Sequence, residues 1–191
     1  MKLLQALKEL FSLLESFHGS WAVCGGIAAT VYRETPRFTG DIDIAIVGRE
    51  PLSAIHIAEA VLRRLNYSPM AGFIADREGN LGNQQALVIG RETTSETFLG
   101  VDFLLPVIPW VSNAVVRAQS NILDYGFVSA PTITVEDLII AKLYALKDSP
   151  ERISDQDDID AILRGNNRFD LNYLQQQAAF HRLTLPATLV S

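Results

Sequence analysis

Apolar residues recur at three- and four-residue intervals near the start of this sequence and again toward its end, which is the spacing of one buried helical face. Between these stretches lie short apolar runs bounded by glycine, proline and polar residues, as is typical of strands. The pattern predicts helices over 2–17, 27–32, from an N-cap at Ser53 to 65, 134–146, 155–163 and 172–180, and strands over 21–24, 42–47, 85–89 and 98–105.

The character of the sequence changes near Pro131. Strands and helices alternate before this residue, which favours an α/β core, whereas only helical segments follow it. The C-terminal part is too short to build an independent core. We therefore predict an α/β (α+β) fold in which a mixed-sheet core over 1–130 is followed by a C-terminal helical subdomain over 131–191, packed on the core.

The composition is that of an ordinary globular protein, with 48% hydrophobic and 20% charged residues in 191. The net charge of -6 argues against a broad basic surface for nucleic acid, although it permits a local basic groove. The single cysteine, Cys24, excludes an intramolecular disulfide and fits a reducing compartment. No run approaches the roughly 20 apolar residues that span a bilayer, and charged residues interrupt the N-terminal apolar segment, so we expect a cytoplasmic protein without membrane association.

The Gly25-Gly26 pair joins a predicted strand to a predicted helix. Free backbone N–H groups and the helix dipole favour a phosphate at such a helix start, and glycines allow it to approach closely. A glycine pair between strand and helix is also a common packing turn. The pair therefore indicates a phosphate site only in combination with other features.

Asp41 and Asp43 flank Ile42 at the start of an otherwise apolar strand. Side chains two apart on a strand point to the same face, so the two carboxylates are expected to lie together. Adjacent negative charges are unfavourable unless something neutralises them, and Mg²⁺ prefers such oxygen ligands. A solvated pair at a strand entry is the alternative, which the preceding glycine turn makes less favourable.

Asp102 lies in a predicted strand that is otherwise apolar on both faces. Burying a lone carboxylate there is costly without a partner. If this strand pairs beside the one that carries Asp41 and Asp43, three carboxylates converge, and such a set can bind two metal ions. Asp102 is then also able to orient or deprotonate an acceptor hydroxyl. The alternative is an aspartate at a bulge or strand end.

Cationic residues accompany these carboxylates. Lys142 lies on the apolar stripe of its predicted helix, where it must extend to solvent or find an anion. Arg37 and Thr39 immediately precede the aspartate pair, and a guanidinium suits a phosphate, although an exposed loop arginine is equally compatible. Asp155 and Asp158 either hold such a cation in place or form a solvated helix face.

This succession of a glycine pair, a helix, Asp-x-Asp and a later aspartate on an apolar strand resembles the nucleotidyltransferase superfamily with the polymerase-β-like fold. The Arg37-x-Thr39-x-Asp41 stretch and the helical tail resemble more specifically the AbiEii-type toxin-like nucleotidyltransferases. Gly26 stands where the superfamily often has serine, although glycine is common among toxin-like relatives. The resemblance implies catalytic and metal-binding roles for Asp41, Asp43 and Asp102, and nucleotide binding by Gly25, Gly26, Arg37, Thr39 and Lys142.

The resemblance also implies an enzyme that uses Mg²⁺ or Mn²⁺ to transfer a nucleoside monophosphate from an NTP to an acceptor hydroxyl. RNA or a protein side chain would be the acceptor, in a toxin–antitoxin or phage-defence system with a cognate antitoxin. Two alternatives stay open: an antibiotic nucleotidyltransferase acting on an aminoglycoside or lincosamide, and a catalytically weak antitoxin-like binding protein. A carboxylate-lined pocket favours a cationic drug as acceptor, whereas a basic groove favours RNA.

Overall fold

The computed structural model describes residues 2–74, 81–92, 100–126, 128–165 and 167–189. None of the helices in these ranges combines the length and the apolar character that crossing a membrane requires. The helices are α1 (Lys2–Glu15), α2 (Gly25–Tyr32), α3 (Pro51–Arg64), α4 (Val111–Ala118), α5 (Val135–Asp148), α6 (Ile153–Arg164) and α7 (Leu171–His181). The strands are β1 (Gly19–Cys24), β2 (Asp41–Gly48), β3 (Tyr67–Gly72), β4 (Leu87–Glu92), β5 (Gly100–Leu104), β6 (Ile122–Asp124) and β7 (Ser129–Pro131).

Five strands form one mixed sheet in the order β1-β2-β5-β4-β3. Strands β2 and β5 run parallel, and the other neighbours are antiparallel. Strands β6 and β7 form a separate hairpin. The predicted mixed α/β architecture is therefore confirmed.

Each face of the sheet is covered by a different set of helices. On one face, apolar residues of β2 such as Ile42, Ile44 and Ile46 share a core with α1 and α3. On the other face, small residues such as Ala22 and Ala45 pack toward α4 and α5. Side chains alternate between the faces, so Asp41 and Asp43 belong to this second face.

The C-terminal helices extend the second core. Leu138 and Ile139 of α5 cluster with Ala28 and Ala29 of α2, and the same cluster includes buried residues of α6 and α7. Helix α5 begins at Val135 with Thr134 as its N-cap, where the Thr134 hydroxyl accepts a hydrogen bond from the Asp137 N–H at 3.3 Å. The division of the chain at residue 131 into a core and a subdomain stays a prediction.

The predicted N-cap at Ser53 is wrong. Helix α3 begins at Pro51 with Glu50 as its N-cap, and Ser53 is the third helical residue. The Ser53 hydroxyl accepts a hydrogen bond from the Glu50 N–H at 3.0 Å, which is half of a capping box. Proline suits the first helical turn because no intrahelical partner exists there for the N–H that it lacks.

The sequence analysis did not predict strand β3, helix α4 or the two strands of the β6–β7 hairpin. Strand β3 contains Pro69, which an edge strand tolerates because one side of its backbone needs no partner. Helix α4 is only two turns long, so its apolar spacing is hard to distinguish from a loop. The strand predicted over 98–105 is observed as Gly100–Leu104, and residues 98 and 99 lie outside the described residues.

Candidate active site

The carboxylates meet because β2 and β5 are parallel neighbours. Asp43 is directly opposite Asp102 in the register, and Asp41 is opposite Gly100. The pairing that the sequence left conditional is therefore confirmed. Three aspartates of two strands occupy one face of the sheet at the start of both strands.

The glycine turn lies against this group. Gly25 has a φ of +59°, and a Cβ at this position would lie 1.9 Å from the Asp43 Oδ2 atom. The backbone N–H of Gly26 donates to the same oxygen at 3.4 Å, which is a long hydrogen bond. Only glycine combines this backbone conformation with this close approach. The turn thus presents the start of α2 to the Asp43 carboxylate.

Arg37 and Thr39 reach the same helix start from the following loop. A Cβ at Gly26 would lie 2.5 Å from the Thr39 Oγ1 atom and 3.3 Å from a terminal guanidinium nitrogen of Arg37. The Thr39 hydroxyl therefore occupies the space that a side chain at position 26 would need. A hydroxyl is present beside the glycine turn even though residue 26 has none.

Asp43 is in an environment that disfavours its charge. Burial and, after it, the charges of Asp102 and Asp41 together raise the pKa of this carboxyl from 3.8 to about 6. The Gly26 hydrogen bond and the positive charge of Lys142 lower the pKa of Asp43 but do not compensate. The site would gain stability from an additional cation.

The donor chemistry of the three aspartates fits a divalent cation, since hard carboxylate oxygens are what Mg²⁺ and Mn²⁺ take. Within the described part of the chain, however, no three acidic, histidine or cysteine side chains are gathered closely enough to form a ready metal site. Asp102 instead makes hydrogen bonds with Arg91, at 2.5 Å and 3.3 Å. Asp41 and Asp43 are therefore the residues best placed to hold a cation, with Asp102 as a further ligand if its bond to Arg91 opens.

Lys142 is buried and engaged in ion pairs. Its Nζ donates to the Asp155 Oδ1 atom at 2.8 Å and lies 2.7 Å from the Asp158 Oδ2 atom. Of the two readings for the acidic residues of α6, the structure supports the one in which they hold the lysine in place. The lysine still lines the cavity above the carboxylates.

Asp158 is the centre of a cationic cluster. Its carboxylate accepts two hydrogen bonds from Arg37, both at 2.7 Å, and one from Arg33 at 2.5 Å. Burial acts to raise the pKa of Asp158, but the hydrogen bonds from Arg37, Lys142 and Arg33 lower it to about 2. Arg37 is thus not an exposed loop arginine, because its guanidinium is fixed by this fork.

All eight residues that the sequence nominated line one cavity of about 610 Å³. This volume lies within the range of small-molecule sites. The lining also includes apolar side chains, among them Leu104, Ile108 and Trp110. The structure thus brings the nominated residues together, while their roles in binding and catalysis stay predictions.

Arg33 and Arg91 were missed by the sequence analysis. Arg91 shares the alternation of β4 with Leu87 and Ile89, and Ile89 is opposite Asp102 in the register. A charged residue on the same strand face as Leu87 and Ile89 was the available signal, but its use required knowledge of which strand lies beside Asp102. Nothing local distinguishes Arg33, whose partners are far away in α6.

The fold is that of a nucleotidyltransferase. The structure of ANT(2'')-Ia in complex with adenylyl-2''-tobramycin has a TM-score of 0.59 at 12% identity, over 95% of this chain and 98% of that one. A solution structure of ANT(2'')-Ia gives 0.58 at 13% identity, over 95% and 91%. An antigenic nucleotidyltransferase-like protein from Paracoccidioides brasiliensis gives 0.53 at 18% identity, over 90% and 83%.

Residues 8–186 match the family described as "Nucleotidyl transferase AbiEii toxin, Type IV TA system". The chain belongs to this family and is a nucleotidyltransferase, as the resemblance in the sequence predicted. No curated protein matches the chain.

Proposed function

We propose that this protein transfers a nucleoside monophosphate from an NTP to an acceptor hydroxyl in a reaction that depends on Mg²⁺ or Mn²⁺. The observation that carries the proposal is the register of β2 and β5, which places Asp41, Asp43 and Asp102 on one face beside the Gly25-Gly26 turn. The raised pKa of Asp43 supports it, because a bound cation would relieve the charge that burial and the neighbouring carboxylates disfavour.

The phosphates of the NTP would lie at the start of α2. The N–H groups of Gly25 and Gly26 and the Thr39 hydroxyl are the donors there, and Lys142 and Arg37 line the same cavity. Both side chains are held by Asp158, so they would be prepositioned hydrogen-bond donors that need little rearrangement. The apolar lining residues, which include Trp110, would contact the base of the nucleotide.

In the reaction, the acceptor oxygen bonds to the α-phosphorus while the bond to the bridging α,β-oxygen breaks, and pyrophosphate leaves with that oxygen. The acceptor hydroxyl loses its proton, for which Asp102 is the candidate acceptor. When bound at Asp41 and Asp43, a divalent cation would neutralise phosphate charge that develops during transfer. Catalysis would rest on positioning and charge neutralisation.

We infer a cytoplasmic toxin that acts on RNA or a protein side chain and has a cognate antitoxin. The family description, which names a type IV toxin–antitoxin system, supports this setting. Phe38 supports a large acceptor, because it is 87% exposed at the rim of the cavity between two nucleotide-binding candidates. An exposed aromatic ring at the entrance can stack on a base or pack against a peptide.

A cationic small molecule, such as an aminoglycoside or lincosamide, is the second candidate acceptor. The described residues that line the cavity include five aspartates and three cationic side chains. Two of these cations, Lys142 and Arg152, bind Asp155, which also lines the cavity. The excess of negative charge fits a polycation, and one of the proteins with this fold was solved with an adenylylated tobramycin.

The test is incubation with each α-labelled NTP, Mg²⁺ and, in separate reactions, total RNA, lysate protein and aminoglycosides. Label is expected in the RNA or protein fraction and should vanish in Asp43→Asn. Asp160→Asn is the matched control, because Asp160 is an exposed aspartate of α6 whose carboxylate accepts a hydrogen bond from Gln156 on the same helix, and it should leave transfer unchanged. Label in the aminoglycoside reaction alone would support the second candidate, and no Asp43-dependent label anywhere would refute nucleotidyl transfer.

A further inference from the structure

Arg91 lies against the proposed metal site. Its guanidinium forms a fork with Asp102, with Nη1 2.5 Å from Oδ1 and Nη2 3.3 Å from Oδ2. Both side chains are partly shielded, with 31% of the Arg91 side chain and 18% of the Asp102 side chain exposed. A forked pair with this shielding is stronger than an ordinary surface ion pair.

The guanidinium also reaches the neighbourhood of Asp41. A Cβ at Gly100 would lie 2.5 Å from the Asp41 Oδ1 atom and 2.8 Å from the Arg91 Nη1 atom. The absence of a side chain at Gly100 therefore lets the arginine approach the edge of β2. The hydrogen bond to Asp102 raises the pKa of Arg91 against the effect of burial, and the charges of Asp102, Asp41 and Asp43 add to the rise.

We propose that Arg91 is a built-in counter-ion of the carboxylate site and competes with a divalent cation for Asp102. The proposal rests on the metal site of the proposed function. Both oxygens of Asp102 are used by the fork, so coordination by this residue requires at least one of the two hydrogen bonds to open. The positive charge of Arg91, in contact with Asp102, also repels a dication bound at this carboxylate. At the effective dielectric of a protein, this repulsion is expected to weaken the affinity for the dication by about tenfold or more.

The experiment is a titration of the nucleotide-free protein with Mn²⁺. The electron paramagnetic resonance signal of unbound Mn²⁺ gives the dissociation constant. Arg91→Gln is expected to bind Mn²⁺ about tenfold more tightly than the unchanged protein. Arg91→Lys keeps the charge and loses the fork, so its affinity should fall between the two. Arg63→Gln is the matched control, since it also removes one positive charge, from an exposed pair on α3, and should bind like the unchanged protein.

A double substitution separates competition from a general change of charge. In the Asp102→Asn background, where the contested ligand is gone, adding Arg91→Gln should change the Mn²⁺ affinity by much less than tenfold. Thermal melts establish that each variant is folded. If Arg91→Gln does not fold, the comparison of Arg91→Lys with the unchanged protein decides the matter.

Unchanged or weaker Mn²⁺ binding in folded Arg91→Gln and Arg91→Lys would overturn competition and make Arg91 a support for Asp102. The result for Asp43→Asn distinguishes this failure from failure of the proposed function. If Asp43→Asn abolishes Mn²⁺ binding while the Arg91 variants behave like the unchanged protein, only the role of Arg91 is refuted. If Mn²⁺ binding survives Asp43→Asn, the metal site itself is wrong and the proposal for Arg91 falls with it.

Discussion

Two groups of aspartates, one on the sheet around Asp43 and one on α6 around Asp158, have opposite electrostatic environments. On the sheet, burial and neighbouring carboxylates raise the pKa of Asp43 to about 6. On α6, three cationic side chains lower the pKa of Asp158 to about 2 despite its burial. The first group lacks enough positive charge and is suited to receive a cation, whereas the second is already neutralised by the protein. Burial alone therefore does not identify a functional carboxylate, because the neighbouring charges decide its role.

Asp43→Asn is expected to have the largest effect, and it tests whether the aspartates on the sheet serve a functional site. Nucleotidyl transfer should fall about 1,000-fold or more, because the proposed metal site loses a central ligand. The thermal midpoint should stay the same or rise, since the substitution removes a charge that the fold disfavours. Transfer of α-labelled NTP and a thermal melt measure the two effects. A strong loss of stability would contradict the assignment of Asp43 to a site rather than to the scaffold.

Asp158→Asn, by contrast, should strongly destabilise the fold. It leaves Arg33, Arg37 and Lys142 without their shared partner, so the free energy of unfolding should fall by about 3–5 kcal/mol. Asp157→Asn is the control, because Asp157 contacts Arg33 from a half-exposed position and should cost no more than about 1 kcal/mol. Urea unfolding measures both. Similar losses in the two variants would show that burial of the ion pairs adds nothing.

Gly25→Ala tests how closely the helix start must approach the sheet carboxylates. We expect a loss of about 3 kcal/mol, because alanine is strained at this φ and its Cβ would collide with Asp43. Gly82→Ala isolates the backbone contribution, since Gly82 has a similar φ of +55° with open space around it, and should cost about 1 kcal/mol. Urea unfolding compares the two, and equal losses would refute the role of the close approach.

The smallest expected effect is a pH dependence of stability that belongs to Asp158. Its pKa in the folded state, about 2, lies below the value of 3.8 for an unperturbed aspartate, so its contribution is present above about pH 4. As the pH falls through 2, about 2 kcal/mol should be lost. Urea unfolding between pH 5 and 2 should show this loss in the unchanged protein and a smaller one in Asp158→Asn. Parallel curves would assign the acid sensitivity to other groups.

Much of the fold could be predicted because local sequence patterns determine where many of its helices and strands form. The stripe that ends at Leu14 on α1 and the Thr134 cap of α5 both follow from neighbours in the sequence. Strand β3 could not be predicted in the same way, since Pro69 and its partly exposed residues are acceptable only at an edge of the sheet. The position of a strand within a sheet is a property of the whole fold.

The candidate site shows the same limit. The spacing of Asp41 and Asp43 placed them on one strand face, and the glycine pair supplied a phosphate-binding context. Whether Asp102 joins them depended on β5 lying beside β2, which residues distant in the sequence decide. The ion-pair partners of Lys142 could not be predicted for the same reason. Asp155 and Asp158 become its partners only when α6 packs on α5.

The sequence by itself therefore determined most of the elements, the paired carboxylates and the glycine turn, since each depends on residues a few positions apart. The succession of these motifs along the chain indicated the nucleotidyltransferase class. Only the tertiary structure decided which charges compensate one another. It assigned Arg37 to Asp158 and Arg91 to Asp102, because electrostatic pairing depends on distances of a few ångströms between residues that the chain separates by 11 to 121 positions.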